Sequence, residues 1–140
     1  MRNIPILSHK DAGTLLAYLQ ESLERQHKGA AVAITDAHGE LLAFVRTDGC
    51  PLPSIQNAMN KAFTAAREGI ASKALGEASK RDPFPLTNFG DLRYTGWGGG
   101  VPLAVGDYIV GAIGVSGLPE AEDIKLANDG ASFFKVQISK

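Results

Sequence analysis

The chain has 140 residues, of which 44% are hydrophobic and 21% are charged, with a formal net charge of -1 and a pI near 6.3. This length and composition predict one globular domain over residues 1–140. The near-neutral charge argues against nucleic acid or an anionic membrane surface as a partner, and no apolar stretch reaches membrane-spanning length. The first residues lack the apolar core of a signal peptide, so we expect a cytoplasmic protein.

A helix and a hairpin are predicted first. Ser8, followed by an acidic residue three positions later, resembles a capping box, and apolar residues at helical spacing then predict a helix to about residue 27. Residues 30–36 and 40–48 are rich in apolar residues typical of strands. Gly39 lies between them and suits a tight turn, so we expect the two strands to pair antiparallel.

A second helix and a long loop occupy the middle of the chain. Ser54 is expected to cap a helix that carries many small residues and ends or bends at Gly69. A shorter helical turn is predicted around residues 72–79. Residues 80–99 are rich in Pro, Gly and aromatic residues and form a loop longer than compact domains normally carry without a function.

A second hairpin and a third helix complete the predicted order. Residues 101–105 and 108–115 are apolar at consecutive positions, which predicts central strands covered on both faces. A C-terminal helix begins at Pro119 with acidic residues in its first turn. The order α-β-β-α-β-β-α predicts an α+β fold, with a mainly antiparallel sheet between helices and with residues 31–34 and 110–115 central and buried.

Residues 95–117 contain eight of the sixteen glycines in the chain. Glycine weakens a strand, so this density indicates that another group approaches the backbone closely. A phosphate-binding loop is disfavoured, because the spacing does not complete a nucleotide motif and the glycines lead into a strand rather than a helix. We expect a packed helix beside the strand, and a ligand or a neighbouring subunit at its entrance.

Four short blocks resemble one known family. They are R-x-D-G at residues 46–49, K-A-x-T-A at 61–65, G-G-G-x-P at 98–102 and G-A-I-G-V-S-G at 111–117, which Glu122 and Asp123 follow. In this order they are similar to the GlcG/HbpS-like family, which includes the C-terminal domain of PduO-type proteins, and the similarity covers nearly the whole chain. The resemblance implies a profilin-like three-layer α/β/α sandwich that forms homo-oligomers. It also implies haem as a candidate cofactor, and an association with diol, glycerol or glycolate metabolism.

The candidate ligand site combines flat, cationic and glycine-rich elements. Tyr94 and Trp97 offer faces for a flat ligand, although they could equally pin the loop to its own domain or to another subunit. Arg46, Asp48 and Lys61 could bind an anionic group, or else form ion pairs that hold the Asp48 turn against the second helix. The predicted ligand-binding residues are therefore Arg46, Asp48, Lys61, Tyr94, Trp97, Gly98, Gly99 and Gly100.

No metal-binding motif is present in the sequence. His9, His27 and His38 lie at predicted helix ends or at a hairpin tip, where solvated side chains are the ordinary outcome, although histidine is a common haem ligand. The single Cys50 lies in a turn and excludes an internal disulfide or a cysteine zinc cluster.

Three functional classes remain open. The first is a module that binds a small molecule, haem or a related tetrapyrrole among the candidates. The second is an enzyme whose acid–base chemistry uses Asp48, Lys61 or Asp91 in an oligomeric pocket, and the third is an assembly protein without a ligand. No acid, base and nucleophile are grouped in the sequence, which favours the first class. On this hypothesis Gly99→Val is expected to obstruct binding with little loss of fold.

Overall fold

A computed structural model describes residues 1–140 as a four-stranded antiparallel sheet between two layers of helices. The strand order is β2-β1-β4-β3. This confirms the predicted three-layer fold and the predicted element order. The elements are α1 (His9–Arg25), β1 (Ala31–Asp36), β2 (Leu41–Arg46), α2 (Pro53–Glu68), α3 (Ser72–Arg81), a 3-10 turn (Leu86–Phe89), β3 (Gly100–Val105), β4 (Tyr108–Ser116), α4 (Glu120–Phe133) and a terminal π-helical turn (Phe134–Ile138).

The first helix and the first hairpin form as predicted. The Ser8 hydroxyl accepts the Asp11 backbone N–H at 3.0 Å, which satisfies one of the free donors at the start of α1. Gly39 has a φ of 85° in the β1–β2 turn, where residues with a side chain are strained. The Asp36 carboxylate accepts the backbone N–H of His38 and closes the same turn.

The two faces of the sheet differ in side-chain size. On β1, Val32 and Ile34 belong to the larger core with α1 and α4, whereas Ala31 and Ala33 belong to a core of alanines with α2. The same alternation continues on β4 from Ala112 to Val115, whereas Val110, beside the register shift with β3, also belongs to the larger core. Because side chains alternate between the faces of a strand, the consecutive apolar residues of the sequence become one bulky face and one flat face.

The flat face explains part of the glycine cluster. A Cβ atom on Gly114 would lie 2.0 Å from the carbonyl oxygen of Ala58, and one on Gly100 would lie 2.2 Å from that of Lys61. The backbone of α2 therefore lies directly on β3 and β4. This confirms the packed helix that the glycines predicted.

Two local predictions need correction, and a third is confirmed. β3, over Gly100–Val105, is an edge strand although it was predicted to be central, because helices cover both of its faces while only β4 pairs with it. Ser54 does not cap α2: the N-cap is Leu52 and makes no side-chain hydrogen bond there. The short helical segment predicted at residues 72–79 is confirmed as α3, which extends to Arg81 and in which Gly76 allows the backbone of Gly96 to approach.

None of the helices combines the length and the apolar character needed to cross a membrane.

The contact at Gly114 gives the first testable prediction. Gly114→Ala should lower the free energy of unfolding by about 1–3 kcal/mol or more, because the added methyl group would overlap the α2 backbone. Gly13→Ala is the matched control, since its Cβ would meet nothing within 4 Å on α1 and alanine favours a helix by about 0.5–1 kcal/mol. Urea unfolding of both variants measures the difference, and equal stability of the two would contradict the described packing.

Candidate functional site

A buried ion pair lies where α2 meets the end of β4. The Lys61 ammonium donates to Asp123 Oδ2 at 3.2 Å and to the carbonyl oxygen of Val115 at 2.9 Å. The two charged side chains are only 5% and 4% exposed. The other carboxylate oxygen, Asp123 Oδ1, accepts the backbone N–H of Leu118 at 3.1 Å. The pair therefore joins α2, β4 and α4.

The glycine segment, residues 96–99 just before β3, is fixed beside this pair. The Ser72 hydroxyl donates to the carbonyl oxygen of Trp97 at 2.7 Å and accepts the N–H of Gly100 at 2.9 Å. Glu120 Oε2 accepts the N–H of Gly98 at 2.9 Å. Both ends of the segment are thus held by side chains from helices.

A cleft of about 380 Å³ opens above the ion pair. Its lining comes from the start of α2, the end of β4, the glycine segment and the start of α4, and it is mostly polar. The lining residues are Pro51, Ser54, Asn57, Lys61, Trp97, Gly98, Ser116, Gly117, Leu118, Glu120 and Asp123.

The two carboxylates of the cleft have pKa shifts of opposite sign. Burial raises the pKa of Asp123, and this effect exceeds the opposing effects of the Lys61 charge and of backbone hydrogen bonds from residues 117 and 118. The pKa of Glu120 is lowered, chiefly by the hydrogen bond from Lys73 and then by the one from the Gly98 N–H. The Glu120 carboxylate therefore already has partners within the chain, the Lys73 ammonium and the Gly98 N–H.

Three of the predicted ligand-binding residues line this cleft: Lys61, Trp97 and Gly98. Trp97 lies at its mouth with 61% of the residue exposed. Gly99 and Gly100 support the cleft from behind, since Gly99 O accepts the Val115 N–H at 2.9 Å.

The structure corrects the expectation that Gly99→Val would leave the fold intact. Gly99 has a φ of 126°, and a Cβ atom there would lie 2.4 Å from the carbonyl oxygen of Val115. Valine at this position is strained both by its backbone conformation and by this contact.

Tyr94 does not face the cleft residues. Its ring stacks on Phe89 at a centroid distance of 4.1 Å and meets Phe63 edge-on at 5.4 Å. Its hydroxyl lies 3.3 Å from Glu68 Oε2, and burial is the main cause of its raised pKa. These contacts pin the loop to its own domain, which is the alternative that the sequence left open for this aromatic residue.

The structure does not bring Arg46 and Asp48 to Lys61. Arg46 is exposed at the end of β2, and Asp48 lines a separate recess together with His27 and Lys28. Neither Arg46 nor Asp48 takes part in an ion pair. The alternative of ion pairs between the Asp48 turn and α2 is therefore not found, because the Lys61 ammonium pairs with Asp123 of α4 instead.

The acid–base candidates likewise do not converge. Asp91 forms a two-pronged pair with Arg93, at 2.9 and 3.1 Å, within its own loop. Lys61 is held in the cleft and Asp48 in the separate recess. The chain contains no group of three or more His, Cys, Asp or Glu residues that could hold a metal ion.

Several residues of the cleft were not identified from the sequence. Asp123 was interpreted as a charge at the start of a helix, and its pairing with Lys61 spans 62 positions, beyond the reach of any local pattern. Ser72 and Glu120 hold the glycine segment through contacts that also cross between elements. The one available signal was the co-occurrence of the lysine block and the acidic pair in the family-like motifs.

Comparison with known proteins gives a consistent result. A family model described as "Haem degrading protein HbpS-like" matches residues 7–132. The chain is 32% identical to Protein GlcG of Escherichia coli K12 over 122 residues, covering 83% of this chain and 85% of GlcG.

Solved structures show the same fold. A double mutant of HbpS from Streptomyces reticuli superposes with a TM-score of 0.83 at 26% identity, over 94% of this chain and 89% of that one. The PduOC:heme complex superposes with a TM-score of 0.83 at 25% identity, over 91% and 94%. The Klebsiella pneumoniae protein ORFY, at 20% identity, shows the fold alone with a TM-score of 0.87 over 97% and 95%.

The buried pair gives the second testable prediction. Lys61→Met and Asp123→Asn should each lower the free energy of unfolding by about 3–5 kcal/mol, because each removes a partner from a buried charged group. The double variant should lose less than the sum of the two, since neither charge then remains. The same cycle on the exposed Lys125–Asp129 pair should show changes under about 1 kcal/mol. Additive losses at Lys61 and Asp123 in urea unfolding would contradict the pairing.

Proposed function

Because the chain belongs to the HbpS-like family, we propose that it is an accessory protein that binds haem or a related tetrapyrrole, with a role in diol, glycerol or glycolate metabolism. The observation that carries the proposal is the match to this family over residues 7–132. The structure of a relative in complex with haem supports it.

The residues beside the cleft suit part of a haem molecule. The exposed indole of Trp97 offers a flat apolar face for the ring edge. The Lys73 ammonium, which pairs with Glu120 at the surface, can also bind a propionate.

The iron, in contrast, has no ligand in this cleft. No histidine, cysteine, methionine or tyrosine lines it. His9, His27 and His38 are all exposed elsewhere on the chain. The cleft residues therefore do not fit axial ligation, and the proposal assigns them only contacts with the ring and its carboxylates.

The separation of Asp48, Lys61 and Asp91 favours binding over the enzymatic alternative. An acid–base mechanism needs these groups within reach of one substrate. Each lies in a different part of the surface or core.

A haemin titration tests the proposed function. The parent protein should give a saturable shift of the Soret band, and Trp97→Ala should weaken binding by about tenfold because a flat contact of the ring is lost. Trp97 is largely exposed, so the variant should keep its fold, which far-UV circular dichroism checks.

His38→Ala is the matched control for this titration. His38 lies at the β1–β2 turn, at the end of the sheet opposite to the cleft, and its replacement should leave the affinity unchanged. Absence of a saturable shift in the parent would refute haem binding. If only His38→Ala lost affinity for haemin, the binding site would lie away from Trp97.

We also propose that the chain forms a homo-oligomer. Large apolar side chains are exposed, among them Leu52 at 73% and Leu92 at 88%, and β2 and β3 each leave one edge of the sheet unpaired. Such surfaces are typical of contacts between subunits. Light scattering should give a mass of at least twice 14.8 kDa at micromolar concentration, and a monomer mass throughout that range would contradict the proposal.

A further inference from the structure

We propose that the cleft above Lys61 and Asp123 binds a small hydroxylated carboxylate, held by Ser54, Asn57 and Ser116. The inference concerns this chain's own cleft and goes beyond the proposed function, since it holds whether or not the protein binds haem.

The first argument is that these three polar side chains have no partner. Ser54 and Ser116 are 6% and 5% exposed, and neither hydroxyl makes a hydrogen bond within the chain. Thr35 Oγ1 is the only fully enclosed side-chain polar atom without a partner, so the hydroxyls of Ser54 and Ser116 must open to the cleft that they line. The Asn57 amide lines the same cleft and is likewise unpaired. The hydroxyls of Ser54 and Ser116 and the Asn57 amide are therefore available to a ligand in the cleft.

The second argument concerns the positive charge available to a ligand. An ammonium group has three donors, and Lys61 uses two of them for Asp123 and Val115. The third remains for a ligand oxygen. The start of α2 adds a partial positive charge, because this 16-residue helix has neither an acidic residue in its first turn nor a side-chain cap.

Each of the two carboxylates of the lining is paired with a lysine, so the cleft has no unpaired negative charge. Asp123 accepts from Lys61 and from the backbone of Leu118. Glu120 accepts from Lys73 and from the backbone of Gly98. Both carboxylates therefore already have cationic partners, and the remaining donors, the third N–H of Lys61 and the Ser54 hydroxyl, are available to an anion.

The third argument is the polarity of the lining. Trp97 and Leu118 are its only large apolar residues. A carboxylate alone would leave the Asn57 carbonyl and the hydroxyl oxygens without donors. A ligand that also carries hydroxyl groups supplies those donors, so the cleft selects a hydroxy acid over a simple acid.

Three probes with three carbons each separate these features. Glycerate carries a carboxylate and hydroxyls, propionate carries only the carboxylate, and glycerol carries only hydroxyls. Glycerate is titrated into the haem-free protein and followed by amide NMR. The amide chemical shifts of Gly98, Gly117 and Leu118 should change and reach saturation. Its dissociation constant should be at least about tenfold lower than those of propionate and glycerol.

The double variant Ser54→Ala/Ser116→Ala tests the residues. The double variant should bind glycerate about tenfold more weakly or worse, and should no longer prefer glycerate to propionate. The loss of the two hydroxyls should leave the helix and the strand intact. Ser132→Ala is the matched control, because Ser132 is exposed on α4 and makes no hydrogen bond. It should bind glycerate like the parent.

Four results would overturn the inference. They are no saturable response to glycerate, equal affinity for glycerol, equal affinity for propionate, and unchanged glycerate binding in the double serine variant. Haem binding is measured separately, from the Soret band in the haemin titration. No response to glycerate together with a saturable Soret shift would reject only the hydroxy-acid proposal. A saturable response to glycerate without a Soret shift would reject only haem binding.

Discussion

The backbone of α2 lies in direct contact with the glycines of β3 and β4, and this contact determines where the charged groups of the domain can go. The carbonyl oxygens of Ala58 and Lys61 occupy the space in which side chains of Gly114 and Gly100 would otherwise stand. The Lys61 side chain is only 5% exposed there, so its ammonium needs a counter-charge close by. Asp123 supplies it from α4, and the cleft forms around the resulting pair.

The same contact ties the candidate site to the stability of the domain. The segment that carries Trp97 and Gly98 is held by Ser72 from α3 and by Glu120 from α4. The close approach of Gly76 and Gly96 fixes its other end. The site is therefore preorganised by elements whose primary role is packing, which reduces the entropy that a ligand must remove.

The sequence predicted the layers well because local patterns determine them. The Ser8 cap, the run of apolar residues in β1 and the left-handed Gly69 at the end of α2 each act over a few residues. Contacts between distant elements were less accessible. The Lys61–Asp123 pair could not be derived from spacing, and the edge position of β3 follows from pairing partners rather than from its apolar run. Tyr94 was grouped with Trp97 because they are near in sequence, yet the intervening turn directs them to different surroundings.

Trp97 is the only tryptophan of the chain, and it stands at the mouth of the cleft. Intrinsic indole fluorescence of this protein therefore originates from one place, next to the proposed ligand. Its emission maximum reports the local polarity there without any attached dye, and a bound tetrapyrrole would quench it by energy transfer whereas a small aliphatic acid would not. The fluorescence of Trp97 can therefore distinguish the two proposed ligands, because this residue lies at the cleft that both of them would contact.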